Sequence, residues 1–193
     1  MKTIKFLAVA LVAIIVSLPF AIGQLKFGAA NAFVEIKGTS TLHDWEMKSS
    51  AGKCDATLNM TGEKLTGISN LSFLLAAETL KSGTSGLDKN GYKALDTKKN
   101  PSISFNMTSG TITAVDATTY QFKGMGNLTI GGTTRLTDLV ATMKYSAAEK
   151  AFVVTGSKTI KMTDWKVTPP TVMFGTIKTG DKITIDFNLK IKA

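Results

Sequence analysis

Along the last segment of the chain, apolar and polar residues take strict turns. Ile183, Ile185, Phe187, Leu189 and Ile191 alternate with Thr184, Asp186, Asn188, Lys190 and Lys192. Successive side chains of an extended strand point to opposite faces, so this pattern buries one face and wets the other only as a β-strand. A helix would scatter the same residues around its circumference. The period returns at Cys54, Ala56, Leu58 and Met60, at Leu71, Phe73 and Leu75, and at Ile103, Phe105 and Met107. It appears once more at Leu139, Ala141, Met143 and Tyr145. The chain therefore reads as all-β, with about eight to ten short strands.

Turn signals separate the runs. Gly131-Gly132 stands between Ile130 and Thr133 and predicts a tight hairpin. Breaks are also expected at Thr61-Gly62, Ser109-Gly110, Ala147 to Lys150, and Thr179-Gly180-Asp181. Strands joined in this way make a sandwich or a barrel. One stretch departs from the pattern: residues 81–100 are polar and Lys-rich. Within it, Lys89 to Lys98 is expected to form a short helix, with Tyr92 and Leu95 on one face, that caps one end of the barrel. Pro101 then restarts a strand.

The N-terminus has its own signature. Lys2 and Lys5 precede an apolar run from Phe6 to Ile22, and small residues follow near Gly23. This is the layout of a secretory signal peptide over residues 1–23, with residues 24–193 as the mature domain. A retained membrane anchor is the competing reading, because the run is near spanning length. Pro19 and the small residues after it favour cleavage. No cysteine stands at the expected cut and Cys54 is too far downstream, so lipid attachment there is excluded, and the expected location is periplasmic or secreted.

Charge narrows the function classes. The formal charge is +9, of which residues 1–23 carry two lysines, and Arg135 is the sole arginine. Nucleic-acid readers depend on arginine forks, and no basic stretch here is interleaved with aromatics, so nucleic acid is not an expected partner. A lysine surplus fits solubility or transient contact with an anionic membrane surface. Self-association into a homodimer stays open.

Catalytic chemistry finds few groups. His43 is the only histidine and Cys54 the only cysteine. Asp44 follows His43 directly and would face the opposite way in a regular strand, so it would not orient the imidazole. Cys54 is in phase with Ala56 and Leu58, the pattern of a buried, inert thiol. One His and one Cys make no closed zinc site, and no loop has calcium-ligand spacing. The chain reads as a non-enzyme without metal or cofactor. Its large apolar residues either line a cavity or fill a core, and the strand period leaves both open.

Four segments, taken in order, resemble the YceI-like family of lipid- and polyisoprenoid-binding proteins. They are GTSTLHDWEMKSSAG (Gly38 to Gly52), GYKALDTKKNPSISF (Gly91 to Phe105), GMGNLTIGGTTRLTDL (Gly124 to Leu139) and IKMTDWKVTPPTVMFGTIKTGDKITIDFNL (Ile160 to Leu189). The resemblance implies a lipocalin-like eight-stranded antiparallel β-barrel with a short helical insertion. It also implies an internal pocket for a polyisoprenoid, quinone or similar long-chain amphiphile, held as carrier or scavenger. The expected apolar lining is Trp45, Phe73, Leu75, Phe105, Leu128 and Ile130 from the first half. Met143, Met162, Trp165, Phe174, Phe187 and Leu189 complete it. His43 and Arg135 are the candidates for a head-group contact, since Gly131 stands where the family hairpin often carries a basic residue. The alternatives are an exported interaction domain with a filled barrel and a small outer-membrane barrel, though aromatic girdles at the strand ends are lacking.

Overall fold

The computed structural model describes residues 22–193, so nearly all of the expected leader lies outside the described residues. Eight long strands follow one another around the molecule. They are β1 (Ile22–Ser40), β2 (Trp45–Thr61), β3 (Lys64–Ala76), β4 (Ser102–Ala114), β5 (Thr119–Ile130), β6 (Thr133–Ser146), β7 (Ala151–Lys161) and β9 (Ile177–Lys192). Each pairs antiparallel with the next, and β1 also pairs with β9, which closes the sheet into a barrel. Closure gives every one of these strands a partner on both sides, although the β6–β7 ladder covers only part of its length. A two-residue strand, β8 (Thr171–Val172), adds a small hairpin at the start of β9. The eight-stranded antiparallel barrel implied by the family resemblance is the observed fold.

Glycine marks a turn at two of the expected breaks, Gly62 and Gly131-Gly132, and a strand interior at two others. Gly131 and Gly132 both have positive φ, and Ile130 pairs with Thr133 across them, as a two-residue hairpin demands. Ser109-Gly110 is not a turn. It lies inside β4, where the register with β5 slips between Met107 and Ser109, and the chain reverses later, at residues 115–118. A glycine inside a strand marks a bulge or a close approach as readily as a turn. Thr179-Gly180-Asp181 likewise falls within β9, with Gly180 pressed against the Thr39 side chain.

The insertion forms α1 (Ser85–Leu95), shifted towards the N-terminus from the expected span. Asp96 ends it in the left-handed conformation, its N–H bonding back to Tyr92 and Lys93 carbonyls. The helix is strapped to the barrel. Lys48 and Lys81 exchange backbone hydrogen bonds of 2.7 and 2.8 Å, and the Tyr92 hydroxyl donates to the Leu80 carbonyl at 2.7 Å. Thr97, itself buried, donates to Glu78 at 2.7 Å.

The core divides along the barrel axis. At the end away from α1, Phe152 is fully buried among Phe27, Tyr120 and Tyr145, with ring centroids 5.5, 6.2 and 4.8 Å away. The Tyr120 hydroxyl accepts the Leu65 N–H at 3.3 Å, so the plug leaves this polar group paired. At the other end, Ile160, Met162, Trp165, Val167 and Ile183 pack beneath α1 and a 3-10 turn over Met162–Trp165.

Candidate functional site

Between plug and cap the barrel is hollow. A cavity of about 440 Å³ runs from the plug to the α1 end, within the ~300–1,000 Å³ usual for ligand sites. On β9 its lining takes in every second residue from Ile183 to Ile191. At 3.2–3.4 Å per residue and a tilt near 40°, that is roughly 20 Å along the axis. The two-residue period thus puts one whole face of β9 into the cavity.

Bulky residues line this space without filling it because several lie flat on the wall. The ring of Phe187 occupies the place a β-carbon on Gly156 would take, and these two residues are direct partners across β7 and β9. Trp45 covers Gly38 in the same manner, and Phe105 covers Gly126. A side chain at any of these glycines would push the ring into the lumen. Gly38, Gly126 and Gly156, all inside strands, are the sequence signal of this close approach, and no turn or periodicity rule picks them out.

Of the expected lining, Trp45, Phe73, Leu75, Phe105, Leu128 and Ile130 face the cavity. Met143, Met162, Trp165, Phe187 and Leu189 do as well. Phe174 does not. It stands fully exposed in a short turn, Met173–Gly175, with φ of 54° and ψ of 34°. The turn breaks the strand period, so the apolar character of Phe174 no longer predicts the inward face. Leu42, Leu87, Val172 and Ile177, which belong to no alternating run, line the mouth.

Polar groups in the lining gather at two places. At the mouth, the β1–β2 loop is held by Ser40, whose hydroxyl accepts the Leu42 and His43 N–H groups at 3.2 and 3.1 Å and donates to the His43 carbonyl at 2.7 Å. His43 lines the mouth, and its Nδ1 is 2.7 Å from the Asp44 carbonyl. A carbonyl only accepts, so Nδ1 carries the proton. The second place is midway down the wall, at Thr137 and Lys158. Arg135 is not part of the lining. Its guanidinium donates to the Asp164 carbonyl at 2.8 Å and lies 5.8 Å from the Trp165 ring, so it braces the cap instead.

Both tryptophans fix the mouth end through the indole N–H. Trp45 donates to the Thr39 carbonyl at 3.0 Å, and Trp165 to the Leu128 carbonyl at 2.9 Å. Cys54 is buried in the wall, where loss of hydration and the neighbouring Asp55 charge push its thiol up to about 12. Such a thiol is not a nucleophile at neutral pH.

Residues 23–191 match the family model for the YceI-like domain. The chain is similar to BcnA of Burkholderia cenocepacia, at 15% identity and a TM-score of 0.65, over 82% of this chain and 95% of that one. It is also similar to a polyisoprenoid binding domain from Saccharophagus degradans implicated in plant cell wall breakdown. That match has 10% identity and a TM-score of 0.61, over 86% of this chain and 98% of the other. The YCEI protein of Campylobacter jejuni shares 19% identity with a TM-score of 0.52, over 64% and 71%. At these identities the likeness to the solved structures is one of fold. No curated protein sequence matches the chain.

Proposed function

Because the chain belongs to the YceI-like domain family, we propose that it is an exported carrier or scavenger of a polyisoprenoid, quinone or similar long-chain amphiphile. The observation that carries this reading is the apolar cavity, open at the α1 end and stopped by the aromatic plug. Each methylene taken from water gains about 0.8 kcal/mol, so a long chain is drawn in strongly without any charged contact. A protein-interaction domain filled by its own side chains has no use for such a space.

The ligand is bound and not transformed. His43 has its Nδ1 engaged by a backbone carbonyl, and the Cys54 thiol is held protonated. Loading and release take place at an anionic membrane surface. Three exposed apolar residues, Leu42, Met173 and Phe174, border the mouth through the linked Thr41–Thr176 and Thr41–Lys178 hydrogen bonds. Such a patch favours an interfacial partner.

The test is native purification, extraction with organic solvent and mass spectrometry of the extract. A long-chain lipid in stoichiometric amount is the expected result. Protein that is empty, and that takes up no long-chain lipid offered to it, would falsify the carrier reading.

A further inference from the structure

One seam of the barrel is only half sewn. The β6–β7 ladder runs from Ser146↔Ala151 to Ala141↔Gly156 and stops there. Residues 133–140 of β6 still pair with β5, and residues 157–161 of β7 still pair with β9. The two strands therefore diverge over their upper halves, below the point where Arg135 reaches the Asp164 carbonyl. Leu139 and Thr137 face the cavity along one side of this gap, and Lys158 does along the other. Exposed Leu136 and Val140 flank it on the outer surface.

Lys158 is unusual in this wall. It is in phase with Val154, Gly156 and Ile160, on the inward side of β7, and among the described residues it is the one lysine or arginine in the cavity lining. Yet its ammonium is 2.5 Å from the carboxylate of Asp138, which is on the outward side of β6 and 65% exposed. In a fully paired sheet, side chains of opposite faces cannot meet in this way. They meet here because the wall is open, so the ammonium of Lys158, whose side chain is 22% exposed, stands in the plane of the wall between lumen and water.

We propose that the β6–β7 seam holds the head group of the long-chain ligand, and that Lys158 makes the barrel select an acidic head group, a carboxylate or a phosphate. The proposal rests on the carrier reading and deepens it. The chain lies in the apolar lumen, and the head group displaces Asp138 from Lys158 at the gap, where Thr137 offers a hydroxyl. Asp138 satisfies the lysine in the empty protein and competes with the ligand in the loaded one. The two neighbouring groups thus act on acid binding with opposite sign.

Matched ligand pairs read this out. Equilibrium binding is measured for hexadecanoate against hexadecanol, and for farnesyl phosphate against farnesol, which separates a fatty acid from a prenyl phosphate as the acidic source. Lys158→Met is expected to weaken binding of the acidic member of at least one pair about tenfold, the worth of one charge-assisted contact. The corresponding alcohol is expected to bind as before. Asp138→Asn is expected to strengthen binding of that same acid. His43→Gln, at the mouth, is expected to leave the acid-to-alcohol ratio unchanged. Equal losses for acid and alcohol in Lys158→Met would show a merely structural lysine and overturn the assignment. So would a shifted ratio in His43→Gln with none in Lys158→Met. Failure of the wild-type protein to bind any of the four ligands would overturn the carrier reading, and the seam site with it.

Discussion

The two ends of the barrel use aromatic residues in opposite ways. At the closed end, rings meet rings: Phe27, Tyr120 and Tyr145 surround Phe152 and leave no room between them. Towards the open end, rings meet glycines: Trp45, Phe105 and Phe187 lie over Gly38, Gly126 and Gly156, and space remains above them. The ladders differ as well. β6 and β7 are paired through the closed half and part over the open half. The same residue types therefore build a core at one end and a lining at the other, and the neighbour across the strand decides which. Stability is concentrated where packing is complete, and ligand space where it is interrupted.

The largest effect should come from the closed end. Phe152→Ala removes a fully buried ring that cannot be replaced by collapse of its aromatic neighbours, and should cost about 3–5 kcal/mol in urea unfolding. Molecules that remain folded should take up ligand as the wild type does. A parallel loss of uptake would break the division between the two ends. Gly156→Ala comes next. Its new methyl group displaces the Phe187 ring into the lumen, with a cost of about 1–3 kcal/mol and a larger relative loss of uptake. Gly86→Ala is the control. Gly86 lies in α1 with open space around it, and alanine there should stabilise by up to about 1 kcal/mol.

Strand period makes most of the wall legible in the sequence. The alternation at Ile183 to Ile191 and at Cys54 to Met60 records directly which side chains face inward, because one buried face imposes it. The cavity itself is hidden there, since an alternating strand looks the same around a filled barrel and a hollow one. What separates them is cross-strand pairing, Phe187 against Gly156 for example, and pairing is not a local property. The mouth is hidden for a different reason. Leu42, Val172 and Phe174 lie outside the long strands, in a loop and in the short β8 and 3-10 turn, where position in the chain no longer fixes direction. The same holds for Arg135. Its phase on β6 is inward, but it is near the rim and turns to the Asp164 carbonyl.

A smaller effect tests the cap against the rim. The two Asp-Trp pairs of the chain, Asp44-Trp45 and Asp164-Trp165, both end with an indole N–H on a backbone carbonyl. Trp165 is buried, so Trp165→Phe removes a buried indole bond to the Leu128 carbonyl together with part of the packed ring, and should cost about 1–3 kcal/mol in thermal or urea unfolding. Trp45 is half-buried beside an exposed loop, and the Thr39 carbonyl can recruit water. Trp45→Phe should cost less than Trp165→Phe. Equal costs would mean that the rim is as dry as the cap.

Cys54 allows the boundary between the two ends to be read without changing a residue. It belongs to the packed cluster around the plug and also lines the cavity floor. Burial lifts its thiol from an ordinary value of 9.0 to about 12. A group whose folded value is raised adds stability that is complete below the unfolded value and is lost as pH climbs towards the folded one. The contribution should therefore be full at about pH 8 and fade between roughly pH 9 and 12, visible as a falling urea midpoint over that range. Near neutral pH the native thiol should react with a disulfide reagent far more slowly than the unfolded chain, and bound ligand should slow it further. Rapid native labelling that ligand does not affect would mean that water reaches the floor from the plug side. The closed end would then be no more closed than the mouth.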